Sequence, residues 1–234
     1  MSAARAVWGN DLRNIVRDRT AGVLLVVPVI FLVLLRFGFP RIERQVPEVA
    51  DYRVLALAAC CLIAGTFPAF MTSFIMLDEK DQGLFAAQRV LPVAPARLLG
   101  YRLLVVAVLS LVYPLLLMLG SGLADRTLPV VLVLALLCAL GSPVATLFVV
   151  ATASNKIEGL TLFKAIFFVV VFAALGVAVP GWWTWLTALI PTYWIYAAFD
   201  ADRPAALLVV AGVAVAYHLA VLAVTYRRFR RQVF

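Results

Sequence analysis

Charge is scarce in this chain. Asp, Glu, Lys and Arg make up 14% of its 234 residues, against roughly 25% in a soluble domain. Hydrophobic residues make up 65%, more apolar surface than a water-soluble core of this length can hide but an amount that lipid can cover. The three cysteines, Cys60, Cys61 and Cys138, lie inside long apolar runs without CxxC spacing. They read as small packing residues, and a metal or redox centre has no basis in the sequence. No GxxxxGK(S/T) phosphate loop occurs, so the chain does not bind ATP in the P-loop manner. The apolar runs hold no paired acids, no HExxH and no Ser with a His or Lys base at usable spacing, which disfavours an intramembrane phosphatase or protease. Buried charges and repeat symmetry are also missing, which disfavours a stand-alone secondary transporter.

What is present is a series of long apolar runs. A spanning helix needs about 20 mainly apolar residues, and residues 20–37, 54–77, 101–120, 128–151, 162–179 and 205–226 qualify. The expected fold is therefore an all-α integral membrane protein with six transmembrane helices in one domain, 1–234. Pro28, Pro68, Pro114 and Pro143 fall inside runs, where membrane helices tolerate them as kinks. The first run is followed by no A-x-A-like cleavage site and reads as a retained span. A seventh apolar stretch, Trp182–Phe199, is divided by Pro191 into pieces too short to cross. Basic residues support this count. With six spans, fourteen of the twenty Lys and Arg fall on the inner side, and a seventh span would carry the run YRRFRR outside. Acids divide evenly, so the inner face carries the whole formal charge of +8. Attraction to anionic inner-leaflet lipid accounts for that charge, and nucleic acid need not be invoked.

Residues 3–19 are too short to span but amphipathic. Ala4, Trp8, Leu12 and Ile15 share one helical face and Arg5, Arg13 and Arg17 the other, the pattern of an interfacial helix. His218, the single histidine, sits in the last run near a Gly212-Ala216-Ala220 stripe suited to close packing, and reads as a hydrogen-bonded packing residue rather than a proton relay. Lys164 is placed to snorkel to the inner face, and Glu158 reads as a loop acid near Lys156.

Two segments stand apart from the spans. The inner loop 78–97, DEKDQGLFAAQRVLPVAPAR, places Asp78, Glu79 and Asp81 where a short helix is expected to start, because a helix N-terminus favours acids. Leu84, Phe85, Val90 and Leu91 give that helix an apolar face, fitting either a groove on a partner or a rest on lipid headgroups. The outer segment 180–204 contains four of the five Trp, including Trp182, Trp185 and Trp194, with Tyr193 beside them. The simpler reading is an aromatic belt at the outer headgroup level. The sharper one is a re-entrant helical hairpin lining a substrate exit.

The loop resembles the first cytoplasmic loop of type-2 ABC exporter permeases in Glu79, Gly83 and Leu84, then Arg89-Val90, then Pro92 nine residues after the glycine. Arg102 stands for the basic residue usual after that loop, although Tyr101 precedes it and the family often has Lys there. Asn155-Lys156, Glu158-Gly159 and Lys164 match in the next inner loop, and IPTYWIYAAF matches at 190–199. Order and spacing over essentially the whole chain are similar to the small permeases of fluoroquinolone or multidrug export.

The resemblance implies a non-catalytic permease subunit in a bacterial plasma membrane, with both termini cytoplasmic. Glu79, Gly83, Leu84, Phe85, Arg89, Leu91 and Pro92 would form the coupling helix. Two ATP-binding subunits would dock there, carrying ATP and Mg, and no cofactor is expected on this chain. A second permease, identical or different, would complete the pathway. The resemblance also favours the outer hairpin, with Trp182, Trp185, Tyr193 and Trp194 as possible exit lining. Drugs or other amphipathic small molecules are the expected cargo, and a cell-envelope glycan, a lipid-linked molecule or haem is the alternative.

Overall fold

The computed structural model describes residues 19–84, 95–179 and 181–233. The interfacial helix expected over 3–19 lies outside these residues except for Arg19. No strand occurs among them.

The long helices are α1 (Arg19–Val33), α3 (Arg53–Asp81), α4 (Pro95–Ser121), α5 (Leu128–Thr152), α6 (Lys156–Ala178) and α9 (Pro204–Val233). Shorter ones are α2 (Phe39–Gln45), α7 (Thr184–Ala188) and α8 (Pro191–Asp200). Among the described residues, five helices are long and apolar enough to cross a membrane, namely α3, α4, α5, α6 and α9. They match five of the six expected runs. The remaining run is helical, but after α1 it widens into a π-helical turn, Leu34–Gly38, before α2. Pro40 explains the widening, since it lacks an N–H and its ring crowds the carbonyl four residues back. The Phe39 N–H bonds Leu34 O, five residues back. Arg36 then donates to Gly120 O at 2.6 Å and ties this turn to the end of α4.

Within the bundle α3 and α5 are the most enclosed and α9 the least. Small residues let the central helices approach. A Cβ on Gly65 of α3 would stand 3.6 Å from Ser110 O of α4 and 3.7 Å from Cys138 O of α5. Ser142 of α5 donates to Gly65 O at 2.5 Å. Ala58, Ala64, Ala135 and Ala173 are fully buried in the same core, together with Cys61 and Cys138. The cysteines are thus free packing residues, and no group of metal-binding side chains occurs among the described residues.

His218 is buried, with Nδ1 2.8 Å from Ala214 O one turn earlier, and Gly141 of α5 leaves room for its ring. It packs as its sequence position suggested. The neighbouring stripe does not, because Gly212, Ala216 and Ala220 are exposed and α9 packs through Leu207, Ala211, Ala214 and His218. The bulkier face wins because it buries more apolar area against α5 and α8.

Candidate functional site

At one end of the bundle, consecutive residues of α3 reach three different helices. Asp78 pairs with Lys156 at the start of α6, at 2.6 Å. The Glu79 carboxylate accepts both Arg102 guanidinium nitrogens of α4, at 2.5 and 2.6 Å. Lys80 donates to Val150 O at 3.2 Å and Ala153 O at 2.8 Å, satisfying carbonyls that the end of α5 leaves open.

The acids therefore do not open a new helix. They lie in the last turns of α3, which runs on to Asp81. A helix C-terminus disfavours acids, and here a cation from a neighbouring helix offsets each of the first two. Gly83 ends the helix with φ +69°, a left-handed conformation that glycine adopts without penalty. Gln82 N–H returns to Asp78 O and Gly83 N–H to Lys80 O.

The two ion pairs differ in weight. Arg102 is 8% exposed and Glu79 16%, and the bidentate fork geometry suits both groups. Asp78 and Lys156 are nearly half exposed, so their pair contributes at most about 1 kcal/mol. The α6 end is set by a cap. Asn155 accepts the Glu158 N–H at 3.0 Å while the Glu158 carboxylate accepts Ser154 N–H at 2.7 Å, a reciprocal arrangement close to a capping box. Glu158 is therefore a first-turn helix residue rather than a loop acid. Beneath this network Met76, Leu99, Leu147, Val150 and Phe229 pack together, bringing the far end of α9 into the same junction.

Of the coupling residues expected from the sequence, Glu79, Gly83 and Leu84 are described; Phe85, Arg89, Leu91 and Pro92 lie outside the described residues. Glu79 faces inward, Gly83 terminates α3, and Leu84 is 41% exposed. Sequence reasoning singled out none of Asp78, Lys80 and Lys156 as site residues. The available signal was the DEK tripeptide standing where an apolar run meets Gly83.

At the other end, α7 and α8 form the pair of short helices between α6 and α9. Pro191 starts α8, with its fixed φ suited to the first helical position. Trp183 Nε1 donates to Val179 O at 2.8 Å and Trp194 Nε1 to Ala188 O at 2.9 Å, so each indole closes a local turn. Thr187 is buried against Gly176 of α6, where a Cβ would overlap it. Ile195, Tyr196, Ala198 and Phe199 sink into the core and anchor α8.

The four aromatic candidates differ in exposure. Trp182 and Trp185 are 75% and 82% exposed, while Tyr193 and Trp194 are half-buried and meet edge to face at 5.5 Å. The periodicity of the segment did not distinguish the two sets.

A family described as fluoroquinolones export permease protein Rv2686c-like matches residues 11–226. Two relatives from Mycobacterium tuberculosis, fluoroquinolones export permease protein Rv2686c of strain ATCC 25618 / H37Rv and its counterpart MT2760 of strain CDC 1551 / Oshkosh, are each 30% identical. The similarity covers 97% of this chain and 94% of theirs. No solved structure matches the chain.

Proposed function

The chain belongs to the fluoroquinolones export permease protein Rv2686c-like family, and from that membership we propose that it is the membrane subunit of an ATP-driven exporter. Its cargo is a fluoroquinolone-like or other amphipathic small molecule, and two separate ATP-binding subunits carry the ATP and Mg. The observation that carries this reading is the braced junction. Glu79 and Arg102 clamp together the two helices that residues 82–94 join. A push on that loop therefore acts on α3 and α4 together, and through Lys80 and Asp78 on α5 and α6. A motor docked there could tilt the bundle without bending any single helix. The absence of a phosphate loop in the sequence supports a borrowed motor.

In this reading the 20–37 run is the sixth span and the junction faces the cytoplasm, with both termini on that side of a bacterial plasma membrane. The α7–α8 pair is a re-entrant outer hairpin. A second permease, a copy of this chain or another, completes the pathway within the lipid.

Affinity purification of the full chain from its native membrane tests the proposal. A P-loop ATPase is expected to copurify in near-stoichiometric amount. In intact cells, cysteines at Arg44, Asp125 and Asp202 should react with an impermeant maleimide, and one at Asn155 should not. Recovery of an active chain free of any ATPase, or outside labelling at Asn155, would overturn it.

A further inference from the structure

At the end of the bundle away from the junction, a cavity of about 440 Å3 opens between the starts of α3 and α5, the end of α4 and the connector that follows it. Small-molecule sites commonly enclose about 300–1,000 Å3. Its floor is Leu57, Met118, Val131, Leu134 and Phe199, each no more than 3% exposed. Its rim is charged, with Arg53, Asp125, Arg126 and Asp202.

The rim charges are unequally satisfied. Arg53 is paired with Glu43. Arg126 makes two long contacts, donating to Phe199 O at 3.3 Å and standing 3.5 Å from Asp202. Both exceed the usual range of about 2.7–3.2 Å, so most of its five N–H donors stay available. Asp125, its neighbour in sequence, has no ion-pair partner among the described residues. A guanidinium and a carboxylate thus both line the mouth of an apolar cavity. A wholly apolar ligand would cover both charges and offer neither a partner, which is costly. A singly charged amphipath would satisfy one of them. We propose that this cavity binds amphipathic molecules with a zwitterionic head, the anionic group on Arg126, the ammonium on Asp125 and the apolar body over Phe199 and Leu134.

Two sources share that chemistry, an exported zwitterionic solute and an outer-leaflet lipid with a phosphoethanolamine head. The inference rests on the proposed orientation only for the side from which the cavity is reached. Binding itself is measured without a motor, so its failure is distinct from failure of the transport reading.

The experiment uses the full chain in detergent with Cys60, Cys61 and Cys138 replaced by Ala and a single reporter, Ala124→Cys, on the cavity wall. Its rate of maleimide labelling is followed against four probes. They are lauroyl lysophosphatidylethanolamine, a quinolone carboxylate bearing a piperazine, dodecylamine and dodecyl phosphate. A zwitterionic probe is expected to slow labelling, with the cation-only and anion-only probes about tenfold weaker, as loss of one charged hydrogen bond implies. Asp125→Asn and Arg126→Gln should each weaken the zwitterionic probe by a similar factor. Protection by the lysolipid alone assigns the site to lipid, and protection by the quinolone alone or by both assigns it to solutes as well; each supports the proposal. No protection by either zwitterion, or equal protection by dodecylamine or dodecyl phosphate, would overturn it. If either variant fails to accumulate, the comparison of charged and zwitterionic probes on the unsubstituted rim decides.

Discussion

Arg102→Met is expected to cost about 3 kcal/mol of stability, because it removes a bidentate charged pair from a largely buried site. Glu79 is only 16% exposed and loses both guanidinium bonds at once. The variant should melt several degrees lower in detergent, and ATP-driven export should fall more steeply than protein abundance. The double exchange Glu79→Arg with Arg102→Glu should recover part of both losses. Asp78→Asn supplies the contrast. Its pair with Lys156 is nearly half exposed, so the change should cost less than about 1 kcal/mol. Thermal unfolding and transport measured in parallel across these variants separate the brace from an incidental surface contact. Equal small effects at Arg102 and Asp78 would contradict the weight given to the Glu79 clamp.

The second large effect is expected at the loop itself. Leu84 follows the helix-ending Gly83 with 41% of its surface exposed, and Phe85 is next in sequence. Burying a Leu or Phe side chain in a partner contributes about 1.5–3 kcal/mol, so losing two should weaken association by about two orders of magnitude or more. Leu84→Ser with Phe85→Ser should therefore leave the chain inserted and folded while the ATPase no longer copurifies. The control Arg44→Ser, in α2 at the opposite end, should change neither property. Retention of the motor by the double variant would move the docking contact to residues 152–164.

Five of the six expected runs were legible as helices long enough to cross, because such a run leaves a signal in composition alone. The break at Pro191 was equally legible, and two short helices stand on either side of it. The junction was not. An acid-rich stretch after an apolar run looks like a fresh helix start when only neighbours in sequence are considered. The partners that let α3 continue are 23 residues away for Arg102, and 70 and 73 away for the carbonyls held by Lys80. The α9 stripe failed for a related reason. Spacing tells which residues share a face, but only the neighbouring helices decide which face is buried. Glu79 shows the combined effect, since the family resemblance marks it as a coupling residue while its side chain turns inward onto Arg102.

The central claim is that a separate ATPase drives export through the junction end. Inside-out vesicles containing the chain and its copurifying ATPase test it directly by uptake of a fluorescent fluoroquinolone. Uptake is expected on addition of ATP and Mg, to persist in the presence of a protonophore, and to be absent with a non-hydrolysable ATP analogue. Uptake that needs no ATP and collapses with the proton gradient would contradict the account.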